Sequence, residues 1–410
     1  MNDAKIINDP VFGFIRIPRG LLLDIVCHPL FQRLTRISQL GLASVVYPGA
    51  RHTRFQHSLG AFHLMSEAIL SLQQKGHFIF DSEAEAVQAA ILMHDIGHGP
   101  FSHVLENTLI RGISHEDISL MMMEAINGDL KGQLALAIAI FRDEYPKRFL
   151  HQLISSQLDM DRLDYLRRDS FFTGVTEGNI GSARIIKMLN VIDDRLVVEQ
   201  KGIYSLENYL TTRRLMYWQV YLHKTTVAYE KMLVNMLRRA KHLSLNAKTP
   251  AQAPFASPAL AYFLRNEVDA RWFDEHSEEA MRMYSELDDS DIWCAMKVWS
   301  HSDDKILATL ASAMLNRKIF RVEMSEEPIS EERIDEVKTS IAQRLGIDTE
   351  DTRYLMCVVT LQKDMYSPND DSIDILYKDG TVRDITEASE LLNVELLSRK
   401  VSKHYLCYLR

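Results

Sequence analysis

Eight of the chain's 15 histidines lie between His52 and His115. There the words RFQHS, ILMHDIGHGPFSH and SHED set imidazoles beside carboxylates, with His94 and Asp95 as direct neighbours. Neighbouring residues stand about 100° apart around a helix, so both can reach one ion only where the backbone bends. Gly97, Gly99 and Pro100 allow that bend: they end the helix EAEAVQAAILMHDI in a cleft and let a short new helix begin near Pro100. A neutral imidazole with a carboxylate, and no cysteine nearby, suits a borderline or hard divalent cation and argues against structural zinc.

Two ligands do not hold an ion, so other parts of the chain must supply more. His57, 37 residues upstream of His94, opens the apolar-periodic helix LGAFHLMSEAILSLQQ, which can bring it across the cleft. Downstream, QLDMDRLDYLRRD offers Asp159, Asp161 and Asp164 beside apolar Leu158, Leu163 and Leu166. Spacing alone does not choose among the three acids.

His57, His94-Asp95 and Asp161 together resemble the H…HD…D signature of the HD-domain metal-dependent phosphohydrolases. The surrounding words resemble the deoxynucleoside triphosphate triphosphohydrolase branch that includes the SAM-and-HD-domain dNTPase. They are INDPVFG, HPLFQRL, SQLG, YPGARHTRFQHSLG, HDIGHGPFSH, SHED, DMDRLDYLRRD and YLTTRRLMYWQVYLHK, in family order from Ile7 to Lys224. The resemblance selects Asp161 and implies one divalent cation (Mn, Fe, Co, Ni or Mg) held by His57, His94, Asp95 and Asp161. It implies attack of a metal-activated water on the α-phosphorus of a dNTP, releasing deoxynucleoside and triphosphate. His103 is the expected proton donor to the leaving 5′-oxygen. Glu106, one turn later at a position commonly Asp in the family, would orient it. His98 and His115 match positions that add charge or hydrogen bonds around the phosphates, and either is an alternative donor.

By the same matching, Arg54, Arg162 and Arg213 are expected to clamp phosphates, since a guanidinium grips two oxygens at once. Tyr165, Asp169 and Tyr221 match sugar contacts, with Asp169 accepting from the 3′-hydroxyl and Tyr165 crowding a 2′-hydroxyl. Gln39 and Leu40 match positions near the base. In nucleotide-activated relatives the INDP and FQRL segments help build a guanine-nucleotide pocket between subunits. Lys5, Asn8 and Gln32 fit that pattern, but Cys27 and Thr35 stand where guanine-reading acidic and arginine residues would be, so no strict requirement for GTP is expected. Two other functions compete: phosphohydrolysis of another nucleotide or phosphoester, and nucleotide binding by a catalytically silent regulator.

Composition narrows the class. A chain of 410 residues with 46% hydrophobic and 25% charged residues has the balance of an ordinary globular protein. It has no apolar run of about 18 residues and no signal-like N-terminus, so a cytoplasmic location and no membrane association are expected. The net charge of −9 argues against a general nucleic-acid surface while permitting a locally basic pocket. Cys27, Cys294, Cys357 and Cys407 form no CxxC pair and are expected to be buried free thiols.

The elements that must position these groups are mainly helical. Short strands and turns are expected first, then a helix over about Leu21 to Leu40 and helix after helix to about Leu189, with Met121 to Met123 as core filler. Residues 190–205 read as a β-hairpin turning at Asp193-Asp194, followed by one long helix, Leu206 to Asn246, that contributes to a subunit contact. The expected organisation is an HD phosphohydrolase core with small β-hairpins over 1–247, a helical extension over 248–317 behind a Pro-, Ala- and Ser-rich link, and a small α+β subdomain over 318–410. The resemblance implies a homo-oligomer, dimer or tetramer.

Overall fold

The computed structural model describes residues 4–101, 103–106, 108–363, 372–389 and 401–410. The chain opens with an antiparallel hairpin, Ala4–Asp9 against Gly13–Pro18. Its turn is held by Asp9, whose Oδ1 accepts from Val11 N at 3.0 Å and Phe12 N at 2.9 Å. The helix expected over Leu21 to Leu40 is instead broken into Leu21–Cys27, Pro29–Gln32 and a 3₁₀ turn Arg33–Arg36. Pro29 is the cause: it excludes the helical conformation from His28, which is extended at ψ 138°.

The helical core follows the predicted order: Arg54–Gln74, Asp81–Met93, His103–Glu106, His115–Asp129, Ala135–Phe141, Arg148–Gln152 and Met160–Thr173. Helix Arg54–Gln74 packs against both Asp81–Met93 and Met160–Thr173. It buries Leu59, Phe62, Met65, Ile69 and Leu72 at three- and four-residue spacing. Gly60 permits the second of these contacts. A Cβ there would stand 1.9 Å from Asp164 Oδ1 and 2.1 Å from Arg168 Nη2. Met122 and Met123 are fully buried, as expected of core filler.

The predicted hairpin is Leu189–Ile192 with Arg195–Glu199, and Asp193 and Asp194 both take positive φ (48° and 58°) at its two-residue turn. The long helix expected next is two helices, Ile203–Met216 and Lys224–Leu245, separated by a π-helical segment Tyr217–Tyr221 and an extended His223. His223 Nδ1 accepts from Thr225 N at 3.2 Å, so the residue ends one helix and caps the next.

Beyond residue 317 the chain is shared between two sheets. Strands Arg321–Ser325, Val401–Tyr408 and Met356–Lys363 form one, backed by helix Glu331–Leu345. The hairpin Asp374–Leu376 with Val382–Asp384 joins the other, where Asp374–Leu376 runs parallel to Arg195–Glu199 of the helical core. Among the described residues no helix is long and apolar enough to cross a membrane. The expectation of buried thiols is corrected: Cys27 and Cys294 are exposed, Cys357 is half-buried and only Cys407 is buried. Cys27 ends a helix whose other face, Leu22, Ile25 and Val26, takes the core.

Candidate metal centre

The cluster is built at the ends of three helices. His57 lies in the first turn of Arg54–Gln74, whose start is fixed by Gln56 Oε1 accepting from Thr53 N at 2.9 Å. His94 follows the last residue of Asp81–Met93, and Asp95 begins the bend predicted from Gly97 and Pro100. Asp161 lies in the first turn of Met160–Thr173. His57 Nε2 lies 3.3 Å from His94 Nε2, 3.0 Å from Asp161 Oδ1 and 3.6 Å from Asp95 Oδ2. His94 Nε2 lies 3.5 Å from an oxygen of each acid.

The structure also separates the three acids that spacing left open. Asp159 is the N-cap of its helix, its Oδ1 accepting from Arg162 N at 2.6 Å and its Oδ2 from Ser156 N at 2.9 Å. Asp164 sits behind His57, accepting from Nδ1 at 2.7 Å while Asp161 faces Nε2. The i, i+3 spacing of Asp161 and Asp164 thus brackets one ring. Asp164 is held by Arg168, at 2.9 and 3.0 Å, and Arg168 by Asp9 of the first hairpin at 2.7 Å. This chain points His57 Nε2 inward.

On the opposite wall His94 Nδ1 bonds Ile91 O at 2.7 Å, which leaves Nε2 for the cluster. Ser119 ties down the bend: its hydroxyl donates to His94 O and accepts from Gly97 N, each at 2.9 Å. A Cβ on Gly97 would lie 2.2 Å from Ser119 N and 2.3 Å from His115 O, so only glycine lets helix His115–Asp129 approach so closely.

The electrostatics are those of ligands competing for positive charge. Burial disfavours the His57 imidazolium, but hydrogen bonds to Asp161 and Asp164 outweigh it and hold the ring up to about 10. Burial opposes the ionised Asp95 and Asp161 too, yet His94, His98 and Arg54 push Asp95 well down and His57 and His94 push Asp161 down. His57, His94 and Asp161 offer ligand atoms all within 4.8 Å of one another, and Asp95 stands beside them. Two neutral imidazole nitrogens and carboxylate oxygens, from three rigid helix ends and without a thiolate, fit one divalent cation.

The other predicted residues fall into groups. Arg54 Nη1 bridges to Asp95 Oδ2 at 2.5 Å, holding the acid beside the cluster. Arg162 is 25% exposed in its side chain and bonds Ser156 O at 2.6 Å and Asp159 at 3.1 Å. Arg213 is buried and bonds Gln157 Oε1 at 2.7 Å. His98 faces Asp95 Oδ1 at 3.3 Å and stacks on His115, with centroids 3.9 Å apart and planes at 15°. Burial and the neighbouring Arg54 push His98 down to about 3, which favours hydrogen bonding of its two expected roles. His103 and Glu106 share the one-turn helix His103–Glu106, and their side chains lie outside the described residues.

Tyr165, Tyr217 and Tyr221 form an aromatic wall, with centroids 6.0 Å and 5.3 Å apart for the pairs that include Tyr221. Tyr217 and Tyr221, four residues apart, share one side of the π-helical segment. Tyr47 OH caps its free carbonyl at Gln219, at 2.5 Å. Asp169 lies behind that wall. It is 1% exposed, and its two oxygens accept from His52 Nε2 and Tyr221 OH, each at 2.7 Å, which ties it to the tyrosine wall. Gln39 and Leu40 are half-buried, and Gln39 Oε1 has no hydrogen-bond partner among the described residues. His52, Gln157, Arg168 and Ser119 were missed. Of these, Arg168 was readable as the i+4 partner of Asp164.

Residues 54–169 match the HD domain, and residues 180–255 match the HD associated region. The chain is 66% identical to a phosphohydrolase of Bacteroides thetaiotaomicron, whose crystal structure it covers completely, with 99% of this chain aligned and a TM-score of 0.96. It is 29% identical to an uncharacterised protein of Bacillus subtilis over 100% of this chain and 93% of that one. The deoxynucleoside triphosphate triphosphohydrolase SAMHD1 homolog of Dictyostelium discoideum is 32% identical over 58% of this chain, which spans 49% of that protein's length. With its ligand cluster formed inside the matched domain and a phosphohydrolase aligned end to end, the chain belongs to the HD-domain phosphohydrolases and is a hydrolase.

Proposed function

We propose that the protein hydrolyses deoxynucleoside triphosphates to deoxynucleoside and triphosphate. The observation that carries this reading is the meeting of His57, His94, Asp95 and Asp161 beside the Arg162, Arg213 and tyrosine wall. A divalent cation held there, Mn, Fe, Co, Ni or Mg, would lower the pKa of a bound water and withdraw charge from a phosphate oxygen. The chain's own groups do the rest. Arg54 fixes Asp95, while Arg162 and Arg213, held in place by Ser156 and Gln157, present guanidinium charge to the phosphates. His103, oriented by Glu106, donates the proton that the leaving 5′-oxygen requires, and neutral His98 with His115 hydrogen-bonds the phosphate chain. Tyr165 and Tyr221 pack against the sugar. Asp169, which already accepts from the Tyr221 hydroxyl, accepts from the 3′-hydroxyl, and Gln39 with Leu40 borders the base.

Likeness to a dNTPase over its HD region supports the substrate class. The same reading makes the protein a cytoplasmic homo-oligomer that needs no GTP, because exposed Cys27 and Thr35 replace the guanine-reading residues. The test is turnover of all four dNTPs and the matching NTPs, with metal content measured and products resolved, with and without GTP. Intact tripolyphosphate from dNTPs alone is the expected result. Orthophosphate or pyrophosphate as product overturns the substrate assignment. Equal turnover by wild type and Asp95→Ala overturns the catalytic one, and silence until GTP is added overturns the regulatory one.

A further inference from the structure

A cleft of about 340 Å³ lies where strand Ile110–Arg111, helix Lys224–Leu245 and the 3₁₀ turn Thr349–Tyr354 meet. Its lining residues are not those of the HD cluster. On a chain of net charge −9, it gathers Arg111, Arg238, Lys241, His242 and Arg353 against a single acid, Glu267. Three arginines and a lysine drawn together in an acidic protein require an explanation, since like charges brought close cost free energy unless something neutralises them.

The protein neutralises them only in part: Arg353 pairs with Glu350 at 3.1 Å and Lys241 with Glu267 at 3.4 Å. Arg239, next to Arg238 in sequence but outside the cleft, is matched by Asp304 at 2.6 Å and Asp351 at 3.2 Å. Arg111 and Arg238 have no carboxylate within ion-pair distance among the described residues. At the floor, the Lys241 side chain is 7% exposed, with Nζ 3.4 Å from Glu267 Oε2 and 3.3 Å from Leu109 O. Burial lowers the pKa of this ammonium, so an anion in the cleft would recover interaction that its desolvation has cost. Tyr354 forms a flat wall: it is 6% exposed, with the Arg353 guanidinium over its ring at 5.0 Å and Arg239 at 5.1 Å.

We propose that this cleft binds a small polyphosphate chain, with Arg111, Arg238 and Lys241 as its ligands. Its volume is at the small end of ligand cavities, which run from about 300 Å³ upward. That is room for a chain of phosphates, or for the phosphate end of a nucleotide whose base lies along His242 and Tyr354, and not for a duplex. Inorganic polyphosphate and a nucleotide tail share this chemistry. The bound anion also touches a working part of the enzyme. Lys241 holds Leu109 O, and Thr108 and Arg111 follow closely on the helix that carries His103. Control of turnover from the cleft rests on the dNTPase reading; the binding itself does not.

The test is calorimetric titration of the full-length, metal-loaded protein with inorganic tripolyphosphate, with ATP and with a short RNA duplex. Each probe is applied to wild type, Arg111→Glu/Arg238→Glu and Asp161→Ala. Arg111 and Arg238 are exposed, so their replacement leaves the core intact, and Arg111→Gln/Arg238→Gln guards against disruption by the new acids. Tripolyphosphate is expected to bind at least about tenfold more weakly to both arginine variants, the loss expected when a charge-assisted hydrogen bond is removed, and undiminished in Asp161→Ala at one site per chain. Tighter binding of ATP than of tripolyphosphate identifies a nucleotide as the ligand, and equal binding identifies the phosphate chain. Unchanged affinity in both arginine variants, complete loss in Asp161→Ala, or binding of the RNA duplex alone overturns the proposal.

Discussion

Replacing Asp164 by Asn isolates what the buried relay behind His57 contributes. Asp164 Oδ2 accepts from His57 Nδ1 at 2.7 Å and from Arg168 Nε at 2.9 Å, and Oδ1 accepts from Arg168 Nη2 at 3.0 Å. Every acceptor position is thus filled by a donor. Whichever way the asparagine amide turns, its NH₂ meets a guanidinium N–H, so one charge-assisted bond becomes a donor-donor contact. Arg168 is fully buried and keeps Asp9 at 2.7 Å, which limits the loss to one such bond, about 1.5–3 kcal/mol, or roughly 2–4 °C in thermal midpoint for a chain of this length. The ring also loses the negative charge that fixes its Nδ1–H and raises its basicity, which lowers metal affinity about 10–100-fold. Asp9→Asn is the matched control. It sets the same conflict against Arg168 Nη1 while keeping the oxygen that accepts from Val11 N and Phe12 N, and it leaves His57 untouched. Both variants should therefore lose similar stability, and only Asp164→Asn should lose metal affinity. Thermal denaturation and competition against a fluorescent chelator read the two effects separately. Equal loss of metal in both variants, or wild-type affinity in Asp164→Asn, refutes the orienting role.

Gly97→Ala forces a methyl group to within 2.2 Å of Ser119 N and 2.3 Å of His115 O, both backbone atoms. A loss of about 1–3 kcal/mol or more is expected in chemical denaturation, together with weaker metal binding because the His94 bend moves. Asp161→Ala should abolish metal binding at the cluster, read as metal per chain after dialysis, without unfolding the protein, because its side chain is 28% exposed. For pH, Glu323 is held down to about 2 by hydrogen bonds from Arg333 at 2.8 Å and Tyr408 at 2.7 Å. Its folded pKa is depressed, so its stabilisation is complete above the unfolded value of about 4.3 and is lost as pH falls toward 2. Denaturant titrations should show Glu323→Gln less stable than wild type at neutral pH, with the gap closing between about pH 4 and pH 2; a gap independent of pH refutes this.

The helical core and the His94-Asp95 half of the cluster were legible because each is written locally. Apolar spacing marks the helices, and glycine and proline after His94-Asp95 mark the bend. Choosing Asp161 over Asp159 and Asp164 was not legible from spacing, because the choice depends on which side of His57 each acid meets, a fact of packing between segments about 100 residues apart. The break at His28 was readable from Pro29 and was overridden by the apolar pattern around it. The π-helical insertion at Tyr217–Tyr221 left no comparable mark. Nothing in YWQVY forbids an α-helix, and the extra residue is stabilised by a tertiary bond from Tyr47. The bonds that hold Asp169 were not legible for a related reason: they come from His52 and Tyr221, residues 117 and 52 positions away, and no local pattern announces them.

That the ligands occupy helix ends also bears on how the site works. A carboxylate in a first turn, as Asp161 is, lies near N–H groups that have no partner within the helix, and the helix dipole favours its negative charge. His94, just past a helix end, bonds Ile91 O through one ring nitrogen and keeps the other for the cluster. Each ligand is therefore held by its own backbone and by one buried partner, Asp164 for His57 and Ser119 for the His94 turn, while Asp161 and Arg162 remain the more exposed edge. On the proposed reading, substrate enters across that edge, where Arg162 would exchange Ser156 and Asp159 for phosphate oxygens while Asp164 and Ser119 keep His57 and the His94 turn in place.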